Sequence, residues 1–244
     1  MEGNMSPRYR DNENTVQGAV YYTLRNSIMN LQLKPGTVMS TQEIATMLNV
    51  SRTPVREAFI RLQREGLVDI FPQKETVVSK INLDRVRQER FIRESIEIAV
   101  MSLVVQNCTT EDIANLRKNI QVQKDLCKSK DSAGFLDADI QFHKIFYEIS
   151  KQQLAWETVK NANGHYNRIR LMTMWSEEII TNAIQQHENI INALEKRDIR
   201  LVQKEMKYHL GKLLAEIDLL TEQYPEYFEM TQKQPLFDFS RLKI

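Results

Sequence analysis

Prolines are missing from the middle of this chain, and their absence most restricts the folds that it can adopt. No proline lies between Pro72 and Pro225, and only three of the seven glycines fall there. Because both residue types interrupt helices, we predict long helices from about Asn82 to Tyr224. The helical periodicity of apolar residues is interrupted near residues 108–110, 128–132, 150–153, 175–176 and 196–198. These breaks divide this part into about six predicted helices.

The first 80 residues are predicted to form shorter elements. Their apolar residues recur at helical spacing and then at strand spacing, with turn and cap residues between the runs. The predicted elements are a helix over about residues 16–31, a short helix capped by Ser40 or Thr41, a third helix from its cap Ser51 to Gly66, and two strands over residues 67–71 and 76–79. Three short helices followed by a hairpin are typical of a winged helix-turn-helix, so the predicted fold class is mainly α.

Composition favours a globular protein without a membrane partner. The chain is 42% hydrophobic and 27% charged, which is typical of a soluble domain with a core. No apolar run approaches the roughly 20 residues of a membrane span, and no signal peptide opens the chain. Cys108 and Cys127 lack the spacing of a metal or redox motif, so they are interpreted as ordinary thiols in a reducing cytoplasm.

Changes in polarity and in the spacing of apolar residues predict the domain boundaries. Residues 1–14 are polar without periodicity and are interpreted as a disordered arm. A first domain is predicted over residues 15–80 and a second, all-helical domain over residues 84–222, with a short linker between them. Residues 223–244 form a tail that is aromatic and contains two prolines, and its role is not predicted.

The third helix has one apolar face and one face suited to DNA. Its apolar positions are Val55, Ala58, Phe59 and Leu62, and its leading end carries Ser51, Arg52, Thr53 and Arg56. Cations and hydroxyls at a helix N-terminus can meet phosphates and guanine edges, so this helix is predicted to read double-stranded DNA. The alternative is a solvated charged face, since the first 80 residues hold ten Lys or Arg against eight Asp or Glu.

The order of residues in this part resembles the GntR family of bacterial repressors. The similarity covers about residues 16–80 and is carried by residues 33–36, 43–45, 50–58 and 61–68. It implies that Arg52, Thr53 and Arg56 contact DNA. As a regulator the protein is expected to be a homodimer, because paired recognition helices need two half-sites. Glu75 stands where the family usually has a wing glycine, and a carboxylate there should repel phosphate. Operator affinity or preference is therefore expected to differ from that of relatives.

Three of the four histidines and one aspartate lie on apolar helix faces. Asp139 and His143 are four residues apart on one predicted stripe, and His187 and His209 each fall in the middle of another. One carboxylate and three imidazoles form a ligand set for a divalent metal ion. The alternative is a separate hydrogen-bond partner for each buried group. His165 lies off these stripes and is predicted not to be a ligand.

The second part of the chain is similar to the FCD ligand-binding domain of FadR-type GntR regulators. The similarity covers about residues 84–222 and is carried by residues 139–143, 186–194, 197–198 and 207–210. It implies that Asp139, His143, His187 and His209 hold the ion. Zinc is the preferred ion, with nickel or manganese as alternatives. It also implies a small organic acid as the effector, bound beside the metal.

A carboxylate effector needs cationic partners, and four residues are candidates. Arg93 lies in a helix that is apolar almost all round, where a guanidinium requires an anion. That anion is either the effector or Glu97, four residues later. Tyr166, Arg168 and Arg170 form a second polar group that related regulators place near the pocket.

These features together predict a DNA-binding transcriptional regulator rather than an enzyme. Its operator affinity would be controlled by a small organic acid bound next to a divalent metal ion. A hydrolase-like enzyme is one alternative, since such a ligand set can activate water, but no general base stands out. A pure metal sensor is the other alternative, although four protein ligands favour a tightly held, structural ion.

Overall fold

A computed structural model describes residues 15–72 and 74–229, and its regular structure is helical apart from one small sheet. This confirms the predicted mainly-α fold with a winged helix-turn-helix followed by a helical bundle. The predicted disordered arm lies outside the described residues. The first part contains α1 (Val16–Met29), β1 (Val38–Met39), α2 (Thr41–Met47), α3 (Arg52–Arg64), β2 (Val68–Phe71) and β3 (Glu75–Val78).

The three N-terminal helices enclose a core that α3 fills with its apolar stripe, since Val55, Phe59 and Leu62 are buried there. Ser40 begins α2 with a reciprocal cap: its hydroxyl accepts from the Glu43 N–H at 3.1 Å, and the Glu43 carboxylate accepts from the Ser40 N–H at 3.2 Å. The sheet is antiparallel with the order β1-β3-β2. Strand β1 was not predicted, because a two-residue strand shows no periodicity.

The second part is a bundle of eight α-helices within the described chain, not about six. They are α4 (Leu83–Asn107), α5 (Thr110–Ser129), α6 (Ser132–Ile149), α7 (Gln153–Asn161), α8 (Gly164–Thr173), α9 (Glu177–Glu195), α10 (Ile199–Lys212) and α11 (Ile217–Gln223). The helix predicted before residue 175 is divided into α7 and α8, and the last one is interrupted by a 3₁₀ turn, Leu213–Glu216. All ten residues of α8 are buried, so it lacks the one-sided stripe that marks a helix in a sequence. None of the described helices is both long and apolar enough to traverse a bilayer.

Helix α8 also packs against the segment that joins the two parts. The Arg168 guanidinium donates to the Ser79 carbonyl at 2.6 Å, and Nδ1 of His165 accepts from the Asn82 N–H at 3.1 Å. Gly66 takes a φ of +72°, which favours glycine. A Cβ at Gly66 would lie 3.3 Å from His165 Nε2, so α8 is in close contact with the turn that ends the third helix.

The described part of the C-terminal tail returns to the same segment. The Ile81 N–H donates to the Tyr227 carbonyl at 2.8 Å, and the Glu229 N–H donates to the Ile81 carbonyl at 3.0 Å. Phe228 is buried in the cluster that contains Ile81. This portion of the tail therefore fixes the segment between the two parts of the molecule.

Candidate functional site

Four side chains from three helices converge at one point inside the bundle. Asp139 and His143 come from α6, His187 from α9 and His209 from α10, and their ligand atoms all lie within 4.8 Å of one another. Nε2 of His209 is 3.2 Å from Nε2 of His143 and 3.3 Å from Nε2 of His187. Nε2 of His187 is 3.5 Å from an oxygen of Asp139. Neighbouring ligands of a four-coordinate zinc ion lie roughly 3.3 Å apart, so these separations fit a metal ion.

The protonation of the three imidazoles directs their lone pairs to the common point. Nδ1 of His143 lies 2.6 Å from Oε2 of Glu97. Nδ1 of His187 and of His209 each lie 2.8 Å from a glutamine Oε1, that of Gln123 and Gln186 respectively. These oxygens accept, so each Nδ1 carries a proton, and an imidazole in its neutral form then presents a lone pair at Nε2. Lone pairs 3.2 Å apart repel each other, and a cation between them removes the repulsion.

The orientation of the Gln123 amide follows from a backbone carbonyl. The Asn119 amide nitrogen donates to the Ala138 carbonyl at 3.0 Å, and that carbonyl can only accept. The Asn119 oxygen is therefore left to accept from Gln123 Nε2, at 2.7 Å. Gln123 consequently presents its oxygen to His187, which determines the tautomer of that imidazole.

The electrostatics of the cluster favour the protonation states of metal ligands. Burial lowers the pKa of His187 to about 3, even though Asp139 opposes this shift. Burial and the neighbouring His187 and His143 also hold the pKa of His209 well below its usual range. Burial alone would raise the pKa of Asp139, but Arg170 together with His143, His187 and Arg93 outweighs it and keeps that pKa low. Neutral imidazoles beside an ionised carboxylate can accept a metal ion without first losing protons.

A cavity of about 270 Å³ opens beside the cluster, with Asp139 and His209 in its wall. Arg93, Tyr166 and Arg170 also line it, so three of the four predicted effector residues are brought together there. The Arg93 guanidinium donates to Glu97 at 2.7 Å and lies over the Tyr166 ring, 5.7 Å from its centroid. The ion pair of Arg93 with Glu97, one of the two predicted alternatives, is therefore present.

The structure does not bring Arg168 to this cavity. Its side chain is fully buried on another side of α8, where it donates to the carbonyls of Ser79 and Gly164. Residues two apart on a helix do not share a face, whereas residues four apart do. This spacing groups Tyr166 with Arg170 and separates Arg168 from both. Arg168 therefore does not line the cavity beside the candidate metal ligands, and its predicted role as an effector contact is wrong.

The leading end of α3 is exposed, as a DNA-reading helix requires. Ser51, Arg52, Thr53 and Arg56 all lie on the surface. Within residues 15–72 and 74–229, neither arginine has an ion-pair partner, so both guanidiniums are free to meet an anionic ligand. Glu75 is exposed at the start of β3, where it pairs with Phe71 beside the hairpin turn.

Comparison with known proteins decides the family. Residues 16–78 match the family described as "Bacterial regulatory proteins, gntR family", and residues 90–212 match the FCD domain. The chain is 33% identical over 213 residues to the HTH-type transcriptional repressor RspR of Escherichia coli K12, covering 87% of this chain and 93% of that repressor. The chain belongs to the GntR family and carries an FCD domain. It is thus a DNA-binding transcriptional regulator.

Other comparisons agree with this GntR membership. The gluconate operon transcriptional repressor of Bacillus subtilis 168 is 28% identical over 199 residues, which cover 75% of this chain and 77% of that protein. The structure of E. coli McbR/YncC superposes with a TM-score of 0.72 at 20% identity over 86% of this chain and 99% of that one, and shares the fold. The similar proteins named here are regulators, so the enzyme alternative gains no support from them.

Three residues that orient the imidazoles in this GntR regulator were not predicted. The sequence predicts Glu97 only as a partner of Arg93, and it predicts no role for Gln123 or Gln186. Gln123 nevertheless lies on the inward stripe of α5 with Leu116 and Ile120. A buried amide on an apolar stripe is the signal that would have found it, because such a group requires a hydrogen-bond partner.

We expect Gln123→Leu to lower metal affinity by roughly 10- to 100-fold, the usual effect of removing a group that orients a metal ligand. Leucine matches the size of glutamine but cannot accept the His187 Nδ1 proton. The measurement is the apparent Kd in competition with a chelator. Gln121→Leu makes the same change on the solvent-exposed face of α5 and should leave the Kd unaltered. Equal affinities of the two variants would show that Gln123 does not orient the ligand.

Proposed function

We propose that this GntR regulator holds a divalent metal ion at Asp139, His143, His187 and His209, and that a small organic acid in the adjoining cavity controls its operator affinity. The observation that carries the proposal is the convergence of three Nε2 lone pairs beside a buried carboxylate. Zinc is the preferred ion, with nickel and manganese as alternatives. When bound, the ion would supply positive charge to the acid and, where its coordination number exceeds four, positions for the acid's oxygens.

The charges of the buried groups support an anionic effector. Arg93 and Arg170 face Glu97 and Asp139, so two positive charges balance two negative ones. Burial would raise the pKa of Glu97, but Arg93 and His143 outweigh it and lower that pKa to about 2. A divalent ion would therefore leave a net charge of +2 among these buried groups, which the more exposed Glu178, Glu216 and Lys212 of the cavity wall offset only in part. Uncompensated buried charge is costly, and a dianion in the cavity compensates it.

We therefore expect dicarboxylates to bind at least ~10-fold more tightly than monocarboxylates of the same carbon skeleton, since each order of magnitude needs only about 1.4 kcal/mol. Succinate paired with butyrate, and malate paired with 3-hydroxybutyrate, provide matched tests. Thermal shift and operator-binding anisotropy on the metal-loaded protein measure binding and its effect on DNA. Arg170→Gln should remove the preference for the dianion.

Two outcomes would contradict this proposal. An operator affinity that follows the free metal concentration, with no response to any acid, would make the protein a pure metal sensor. If the acids changed the operator affinity of metal-free and metal-loaded protein equally, effector binding would not depend on the ion.

We also propose that the regulator acts as a homodimer. A single exposed helix end reads only a few base pairs, and two such ends related by a twofold axis read two half-sites. The proposal predicts an operator with inverted repeats. Sedimentation of the protein with and without DNA measures the stoichiometry, and one chain per operator would contradict it.

A further inference from the structure

We propose a second small-molecule site, selective for anions, at the boundary between the DNA-binding domain and the FCD domain. A cavity of about 290 Å³ lies there. The end of α1 contributes Arg25 and Asn30 to its wall, and the FCD domain contributes Lys160, Asn163 and Asn167. A ligand in this cavity would contact both domains at once.

Asn163 is the first observation that points to a ligand. It is the residue that begins α8, only 5% exposed, and its side chain makes no hydrogen bond within the described chain. An asparagine at this position normally caps the helix. Here Glu89 has that role, since its carboxylate accepts from the N–H groups of His165 at 2.9 Å and Tyr166 at 2.8 Å. The buried atom left without a partner is the acceptor Oδ1, so it requires a donor such as the O–H of hydrogen phosphate, while the unpaired amide nitrogen can donate to an anionic oxygen.

The cations around the cavity are the second observation. Arg25 uses Nε to bind Glu65 at 2.9 Å, while its two terminal nitrogens have no partner in the described residues. Lys160 is exposed and forms no ion pair there. The described lining contains one carboxylate, that of Asp137, which is exposed. Guanidinium, ammonium and amide donors around one space are suited to a phosphate or a carboxylate.

This cavity differs in its lining from the one that contains Asp139 and His209. Arg93 and Arg170 line both, Tyr166 and His209 line only the first, and the proposed metal ligand His143 lines only the second. Arg25 belongs to the DNA-binding domain, so an anion held by Arg25 and Asn163 favours one orientation of the two domains. Since both cavities share Arg170, their ligands are expected to affect each other's affinity. The second site does not require the metal site to be correct.

The test is titration of the full-length, metal-free protein with inorganic phosphate, followed by calorimetry. Asn163→Asp keeps the size of the side chain but adds a negative charge, and should weaken binding at least ~10-fold. Lys160→Gln should weaken it by a smaller factor. Lys118→Gln removes an equivalent charge from an exposed position on α5 and should leave the Kd unchanged. Acetate, titrated in parallel, separates a phosphoryl from a carboxylate ligand.

His209→Ala distinguishes the two cavities, because it alters only the wall of the first. Phosphate binding that survives His209→Ala and is lost in Asn163→Asp supports the boundary site. Binding that is lost in His209→Ala and unaffected by Asn163→Asp assigns the anion to the metal cavity and overturns the proposal. Absence of phosphate and acetate binding to the wild-type protein also overturns it. Hydrogen exchange provides an independent readout, since the bound anion should protect amides of α1 and of the start of α8.

Discussion

His209→Ala is expected to lose the metal ion and, with it, most of the thermal stability that the ion provides. An ion present at about 1,000 times its Kd stabilises the folded state by about 4 kcal/mol. For a chain of this size, each kcal/mol corresponds to about 2–4 °C, so the metal-loaded wild type should melt about 8–16 °C above the variant. Metal analysis and calorimetry on the same samples measure both effects.

Chelation provides the internal control for this comparison. Metal-free wild type and metal-free His209→Ala should melt within a few degrees of each other, because the variant also removes one of three repelling lone pairs. His165→Asn changes the histidine that lies at the domain junction and should retain the ion. Full metal occupancy in His209→Ala, or a Tm difference that survives chelation, would show that the ligand set is wrong.

Arg52→Ala and Arg56→Ala are each expected to weaken specific operator binding by about 30-fold or more while the metal content stays unchanged. An arginine that contacts a guanine edge contributes about 1–3 kcal/mol, which is a factor of roughly 5 to 150. Because a dimer loses this contact in both half-sites, the combined loss should be about 30-fold or more. Anisotropy at a fixed salt concentration measures it, since phosphate contacts make affinity depend on salt.

Arg64→Ala is the matched control for the charge. Arg64 is exposed in the last turn of the same helix, about 18 Å along the axis from Arg52 at 1.5 Å per residue. This variant has the same net charge and should keep operator affinity within a few-fold of wild type. If all three variants bind equally, the leading end of α3 does not read the operator.

Helix α8 connects the candidate metal site with the DNA-binding domain. One part of its surface places Tyr166 and Arg170 beside the metal ligands, and another places His165 and Arg168 against the segment between the domains. A displacement of Arg170 by the proposed effector would therefore act on the same helix that contacts the DNA-binding domain.

Helical spacing along the chain predicted most of the candidate metal site. Asp139 and His143 share a face because they are four residues apart, and His187 and His209 take inward positions on their own stripes. Helical spacing also places Arg168 on a different face from Tyr166 and Arg170. The prediction that all three line one pocket disagrees with this spacing and is wrong for Arg168. The division of α7 from α8 was missed for a different reason, since a helix buried on every side has no stripe.

The sequence by itself determined which face of each helix carries the carboxylate and the imidazoles, because 3.6 residues per turn relate spacing directly to direction. It also determined the GntR family, through the residues of α2 and α3. Only the tertiary structure decided that Gln123, Gln186 and Glu97 orient the imidazoles, and that Arg25 and Asn163 line one cavity. These contacts join residues that are far apart in the chain, and they depend on how the helices pack rather than on any local pattern.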